Sequence, residues 1–271
     1  MNYVEKVQLM TGLVVWAGAL IGYLSASIYY KKINREELIP FLKYLMIAGS
    51  MIGTHQIFEF LSLVTGSVIV YKIGLLISLT GMVFYLFSLE KFYNRKLYVR
   101  ELSIVVAIVA IYLFLKPVEF TVLDFHLEHH SIFLWSLAWF VLFMYWNICI
   151  LFEQKNVGQY ISKSLSWMYL LFSMTISFLI AAAYSIGSHY TNGVNICVTY
   201  PSVWCTFGVL QCLVLPFFLY LLPKKMKKIP PKTQLSKRSA GIYLFITIII
   251  TILMIVFLIS TGCFNVGFIL K

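Results

Sequence analysis

Charged residues are scarce in this chain: only 11% of its 271 residues are Asp, Glu, Lys or Arg, whereas 61% are hydrophobic. Soluble domains carry about 25% charged and about 45–50% apolar residues. A soluble fold of this length has too little interior to bury so much apolar surface. The composition therefore argues against a soluble globular protein and predicts an all-α integral membrane protein.

Signatures of several other protein classes are also missing. The five cysteines are odd in number and irregularly spaced, which argues against a disulfide framework. The first apolar run is too long for a signal sequence, so no cleavable signal peptide is predicted. The net charge is +11, but no basic helix interleaved with aromatic residues accompanies it. Nucleic acid is therefore not expected as a partner.

Long apolar runs are what the chain does contain, and we interpret eight of them as transmembrane helices. Each is long enough to satisfy its own backbone hydrogen bonds in lipid, and none shows the two-residue alternation of a barrel strand. The predicted spans cover residues 8–30, 40–66, 68–89, 102–118, 131–152, 165–187, 201–222 and 241–261.

Basic residues are concentrated in alternate gaps between these runs. Of the 21 Lys and Arg residues, 17 follow the first, third, fifth or seventh span. They form four clusters: Lys31/Lys32/Arg35/Lys43, Lys91/Arg95/Lys96/Arg100, Lys155/Lys163 and Lys224 through Arg238. Positive loops favour the cytoplasmic side. The pattern predicts a multi-pass membrane protein with both termini on the non-cytoplasmic side.

The last cluster divides the predicted architecture. Residues 1–223 form a seven-helix bundle, 224–240 a polybasic cytoplasmic loop, and 241–271 contain an appended, mostly aliphatic eighth helix. The polybasic residues 224–238 are expected to bind anionic lipids. In the second span, Gly49 and Gly53 favour close packing within the chain over a dimer interface, as do Gly18 and Gly22 in the first. The oligomeric state stays open.

The strongest candidate for a polar site is the stretch from Thr54 to Glu59 in the second span. His55 and Glu59 are four residues apart and share one helix face. A carboxylate at the centre of a membrane is expensive, by about 2.5–3.5 kcal/mol for Asp, so Glu59 must face the bundle interior or water. Together with Gln56, the pair predicts a site that binds a ligand, a proton or a metal. The alternative is a hydrogen-bonded pair that only fixes helix packing.

A second candidate is the histidine-rich stretch 124–130, in the outer loop before the fifth span. His126, His129 and His130 lie within five residues, and zinc accepts His together with a carboxylate. These histidines are expected either to form a solvated polar loop or to fold over His55 and Glu59 and share a divalent metal. The His-x-x-His-His spacing resembles one box of the membrane desaturases and hydroxylases, but those families need several such boxes on the cytosolic side.

The start of the seventh span provides the third candidate. Trp204 fits an interfacial anchor or a ligand contact, and Cys205 fits a buried thiol, a nucleophile or a metal ligand. If the outer compartment is oxidising, Cys205 and Cys197 are candidates for a disulfide. This span has no lysine at its centre, so a retinal Schiff base is not expected.

The segments Gly53-Thr54-His55-Gln56-Ile57-Phe58-Glu59 and Ser202-Val203-Trp204-Cys205 resemble an uncharacterised family of bacterial multi-spanning membrane proteins. That family has Gly-x-His-Gln-x-x-Glu in its second helix and Ser-x-Trp-Cys near the start of a late helix. The resemblance implies that the two stretches belong to one site. It also implies a location in the bacterial inner membrane, but it implies no activity.

Three functions follow from this pattern. The first is binding, transport or sensing of a small ligand or ion at a polar site on the non-cytoplasmic half of the bundle. The second is a metal-dependent membrane enzyme acting on a lipid-like substrate. The third is a structural or partner protein whose polar residues lock helices together. No broken-helix pair or internal repeat of a secondary transporter is found.

Overall fold

The computed structural model is mostly helical. It describes residues 3–115, 121–122, 125–126, 140–149, 151–153, 156, 160–162, 216–226 and 228–260. The first three helices are α1 (Tyr3–Lys32), α2 (Ile39–Thr65) and α3 (Val68–Tyr93). Their bounds agree within a few residues with the first three predicted spans, although α1 begins five residues earlier.

Short turns of suitable residues explain why these helices end where they do. Between α1 and α2, one 3₁₀ turn (Glu36–Leu38) leads to Pro40 at the start of α2, where a missing N–H has no cost. Gly66 ends α2 with φ at 66°, a left-handed conformation that glycine adopts without strain. Ser67 then caps α3 by accepting from the Val70 N–H. A chain with such tight turns must fold back on itself.

The later described elements are shorter. In chain order they are β1 (Arg95–Lys96), α4 (Val99–Leu115), β2 (Thr121–Val122), β3 (Phe125–His126), helix α5 (140–149 and 151–153), helix α6 (216–225), β4 (Thr233–Gln234) and α7 (Lys237–Ser260). The strands β1 and β4 are parallel, and β2 and β3 are antiparallel. The predicted sixth span and most of the seventh lie outside the described residues.

Glycines allow α2 to approach both of its neighbours closely. A Cβ built at Gly53 would lie 2.8 Å from the Gly12 carbonyl oxygen and from the Trp16 nitrogen of α1, and one at Gly49 would lie 2.8 Å from the Ala19 Cβ. Gly49 and Gly53 therefore pack within the chain, as predicted for this pair. On the opposite side of α2, a Cβ at Gly81 of α3 would lie 2.9 Å from the Met51 Cβ.

The basic clusters that fall within the described residues meet at one end of the bundle, which we call the basic end. There the Arg35 guanidinium donates to the carbonyls of Pro223 and Met226, at 2.7 and 2.9 Å. The Asn94 amide donates to the Pro230 carbonyl at 2.8 Å. The first, second and fourth clusters, far apart in sequence, are thus brought together by folding.

Three helical segments are long and apolar enough to cross a membrane: Leu9–Lys32, Val68–Tyr93 and Lys237–Met254. The chain therefore has the helical, membrane-type character that its composition predicted. Helix α2 has 27 residues, about 40 Å at the usual rise, but it is not among these three. Its polar residues around His55 lower the apolar character of a helix that lies between two candidate spans.

Candidate functional site

The hydroxyl groups near the centre of α2 are satisfied by the helix itself. Thr54 donates to the Ser50 carbonyl at 2.8 Å, and Ser62 donates to the Glu59 carbonyl at 2.7 Å. Such local bonds satisfy the hydroxyl groups within the helix, so these side chains do not need a partner on a neighbouring helix. His55, Gln56 and Glu59 are consequently the side chains that present strong polar groups from this part of α2 to its neighbours.

The side chains of His55 and Glu59 are in polar contact along the helix. The His55 Nε2 lies 3.2 Å from the Glu59 Oε1, as the four-residue spacing predicted. The two ends of the pair differ in burial, since the His55 side chain is 6% exposed and that of Glu59 is 18% exposed. The imidazole is therefore enclosed, whereas the carboxylate retains access from outside the helix packing.

The backbone of α3 packs closely against His55 at Gly74. A Cβ at Gly74 would lie 3.3 Å from the His55 Nδ1 and 3.0 Å from the Phe58 Cβ. Either contact is tight, so a side chain at position 74 would have to displace its neighbours. Sequence reasoning overlooked Gly74, because a single glycine in an apolar run gives no signal until its facing residue is known.

Gln56, the next residue after His55, is the third member of the polar stretch. It is buried, at 7% exposure, and it follows by three residues Gly53, which packs against α1. Residues three apart share a helix face, so Gln56 also lies on the face of Glu59, which is three residues further along α2.

The other predicted site residues are only partly within the described chain. His126 lies in β3, where it pairs in register with Thr121. His129, His130, Trp204 and Cys205 lie outside the described residues, as does Cys197. In the parts of the chain that the structure describes, no three His, Cys, Asp or Glu residues are grouped to hold a metal. The shared metal site remains a prediction.

A second polar cluster, at the basic end, escaped sequence analysis. The Arg95 guanidinium lies 2.8 Å from the Glu153 carboxylate, with side chains 13% and 8% exposed. Tyr243 and Asn156 also donate to this carboxylate, at 2.9 and 2.6 Å. The sequence did contain a signal for this cluster, because Glu153 is a carboxylate at the end of the fifth predicted span and lies close to a basic loop. With three donors, Glu153 is a junction between segments.

Helix α7 contributes directly to this junction. Tyr243 comes from its second turn, and the buried hydroxyls of Thr247 and Thr251 donate to carbonyls one turn earlier, each at 2.8 Å. The Tyr243 ring stacks on Phe152 of α5, with centroids 5.2 Å apart. The described start of α7 is therefore joined to the rest of the chain by a buried hydrogen bond and by ring packing.

The geometry of α2 identifies a buried polar site, and comparison with known proteins adds no assignment to it. The family resemblance noted from the sequence therefore stays a prediction. No family model, curated protein or solved structure matches this chain.

Proposed function

We propose that this chain is a polytopic membrane protein that binds a small ligand or ion, such as a proton or a compact cation, at His55, Gln56 and Glu59. The observation that carries the proposal is the contact between the His55 imidazole and the Glu59 carboxylate, which lies within the packing of α2 against α3. The carboxylate end of this pair is the more accessible end. A cation that enters would meet Glu59 before His55.

Energetics favour a binding role over a purely structural one. Even where a buried pair of this kind is charged, replacing it by apolar residues of similar size is often neutral or stabilises by about 1–4 kcal/mol. Helix packing alone therefore does not require such a pair, and close packing in this region already comes from Gly53 and Gly74. An ionisable residue inside a membrane is a functional candidate by default.

The proposed topology has eight spans, with the basic end in the cytoplasm and both termini on the opposite side. Support comes from the convergence of three basic clusters at one end of the described chain. His55 lies 10 residues before the end of α2 and 16 after its start, about 15 and 24 Å along the helix. The site would thus open from the non-cytoplasmic half.

Ligand binding is tested by the response of purified protein to protons and cations. We expect the melting temperature of the wild type to change with pH or with an added monovalent, divalent or organic cation, and Glu59→Gln to abolish this response. Glu101→Gln is the matched control, because Glu101 is an exposed carboxylate paired with Lys96 at the other end of the bundle. A response of equal size in Glu59→Gln would overturn the proposal.

Metal analysis of the same preparations distinguishes the enzymatic alternative. Stoichiometric zinc that is lost in both His55→Ala and Glu59→Ala would replace the proposed ligand site by a metal centre. Variants that only lower the melting temperature, in a protein that responds to none of the added cations or protons, would indicate the structural role instead.

A further inference from the structure

The polybasic segment between α6 and α7 is held in place by its main chain. The Ser162 N–H donates to the Lys225 carbonyl at 3.2 Å, and Met226 forms a bridge with Ile161. Further along, β4 pairs with β1 through bonds from the Thr233 N–H to the Asn94 carbonyl and from the Leu235 N–H to the Lys96 carbonyl. The segment is therefore fixed against two other parts of the chain, residues 161–162 and residues 94–96.

Apolar residues anchor the same segment. Met226 and Leu235 are each 1% exposed, and Pro230 between them is also buried. Buried apolar residues spaced along a segment hold it against the core, because each removes apolar surface from water. With both backbone and apolar side chains facing inward, the long basic side chains are left on the outer surface.

The exposed basic side chains along residues 224–238 together form a positively charged surface, which we call the basic face. Its members, all exposed, are Lys224, Lys225, Lys228, Lys232, Lys237 and Arg238. Among the described residues, none of these six forms an ion pair with a carboxylate; the pairs found involve other residues. Their charge is therefore not neutralised by the described part of the chain.

The basic face lies where the apolar helices end. Two candidate spans finish at Lys32 and Tyr93, and the third begins at Lys237. Arg35, just after the first, bonds to residues 223 and 226, and Asn94, just after the second, bonds to residue 230. These bonds bring the ends of the first two spans close to the basic face, and the third span begins within it. In a bilayer crossed by these spans, the basic face would lie at the depth of the lipid headgroups.

Aromatic residues mark the same boundary. Tyr29 of α1 and Tyr220 of α6 stack with centroids 5.8 Å apart, and the Lys224 ammonium lies 3.8 Å from the Tyr220 ring centroid. A hydrogen bond to the Tyr220 hydroxyl raises the pKa of Lys224, so this side chain stays cationic at neutral pH. Tyrosines of this kind are enriched at membrane interfaces.

We infer that the basic face binds the phosphate groups of anionic phospholipids in the surrounding bilayer. Clusters of four to eight basic residues beside a membrane helix attract anionic lipid, with about 1 kcal/mol per residue. Because the backbone of the segment is already anchored, lipid binding does not have to order a flexible loop, and the entropy cost of binding is lower. This inference is independent of the ligand site on α2, which lies toward the other end.

Lipid titration of the full-length protein in detergent tests the inference. We expect phosphatidylglycerol to raise the melting temperature and to remain bound in native mass spectrometry, whereas phosphatidylcholine and inorganic phosphate do neither. Lys228→Gln/Lys232→Gln should weaken phosphatidylglycerol binding by about tenfold or more, from the contribution expected per basic residue.

Two control variants separate charge from folding. Lys228→Arg/Lys232→Arg keeps the charge and should retain binding, and Lys6→Gln removes an exposed charge from the opposite end and should leave binding unchanged. The inference is overturned if the wild type binds both lipids equally, if phosphate alone reproduces the effect, or if Lys6→Gln weakens binding as much as the double Gln variant. A preference for a soluble polyanion over phosphatidylglycerol would also overturn it.

Discussion

The side chains of His55 and Glu59 are one helical turn apart, and their 3.2 Å contact was predictable from spacing alone. Position along a helix determines which residues share a face. The burial of the imidazole was not predictable in the same way, because it depends on Gly74 of α3. A local pattern thus predicted the pair, and packing between helices determined how enclosed each member is.

At this residue scale, we expect the two members of the pair to be energetically coupled. His55→Ala should lower the free energy of unfolding by about 1–3 kcal/mol, because it leaves the largely enclosed Glu59 carboxylate without the imidazole. The double variant His55→Ala/Glu59→Ala should lose less than the sum of the two single losses, since no orphaned charge remains. A double-mutant cycle by denaturation in detergent measures this coupling, and strict additivity would contradict it.

Between elements, close approach of helices depends on residues without side chains. Gly53 packs against the backbone of Gly12 and Trp16, whereas Gly81 packs against Met51 from the opposite side. The turns that join α1, α2 and α3 were readable from sequence, since Pro40, Gly66 and Ser67 have strong positional preferences. Which glycine meets which neighbour depends on helix rotation, and that is set by packing.

At the element scale, Gly53→Ala should destabilise the protein by about 1–3 kcal/mol, because the added methyl group meets backbone atoms that cannot rotate away. Gly241→Ala is the matched control, since a Cβ at this position in α7 meets nothing within 4 Å. The control should be neutral or stabilising by up to about 1 kcal/mol, as expected for alanine in a helix. Thermal or denaturant unfolding measures both, and equal losses would refute the packing role of Gly53.

Across the whole molecule, the basic end joins distant parts of the chain. Glu153 accepts hydrogen bonds from Tyr243 and Asn156 and pairs with Arg95. The charge pattern predicted that the basic clusters share one side, because positive residues favour one face of a membrane. It did not predict this buried junction, which depends on residues brought together from three regions.

This junction should contribute strongly to stability at the scale of the whole molecule. Glu153→Ala leaves the mostly buried Arg95 unpaired and should cost about 3–5 kcal/mol. Glu101→Ala removes a carboxylate that pairs with Lys96 at 3.6 Å, where both side chains are about half exposed, and should cost no more than about 1 kcal/mol. Unfolding of the two variants side by side measures the contrast, and similar losses would show that the junction is not a stabilising centre.

The proposed topology predicts opposite labelling of the two ends of the bundle. Thr65 and Lys232 are both exposed, one near the end of α2 and the other at the basic end. A membrane-impermeant maleimide should label Thr65→Cys in intact spheroplasts and Lys232→Cys only in inverted vesicles. The wild type provides the background from its five native cysteines, and labelling of both variants from the same side would refute the topology.

Composition and periodicity by themselves determined that this chain forms apolar helices of membrane type, that the first three lie within about five residues of their observed bounds, and that His55 and Glu59 share a face. These properties are local, because they depend on residues within a few turns of one another. Only the tertiary structure determined that α3 encloses His55, that Glu153 joins Arg95 to Tyr243, and that the polybasic segment is anchored against β1. Such contacts depend on helix rotation and on distant pairings, for which an apolar sequence carries little directional signal.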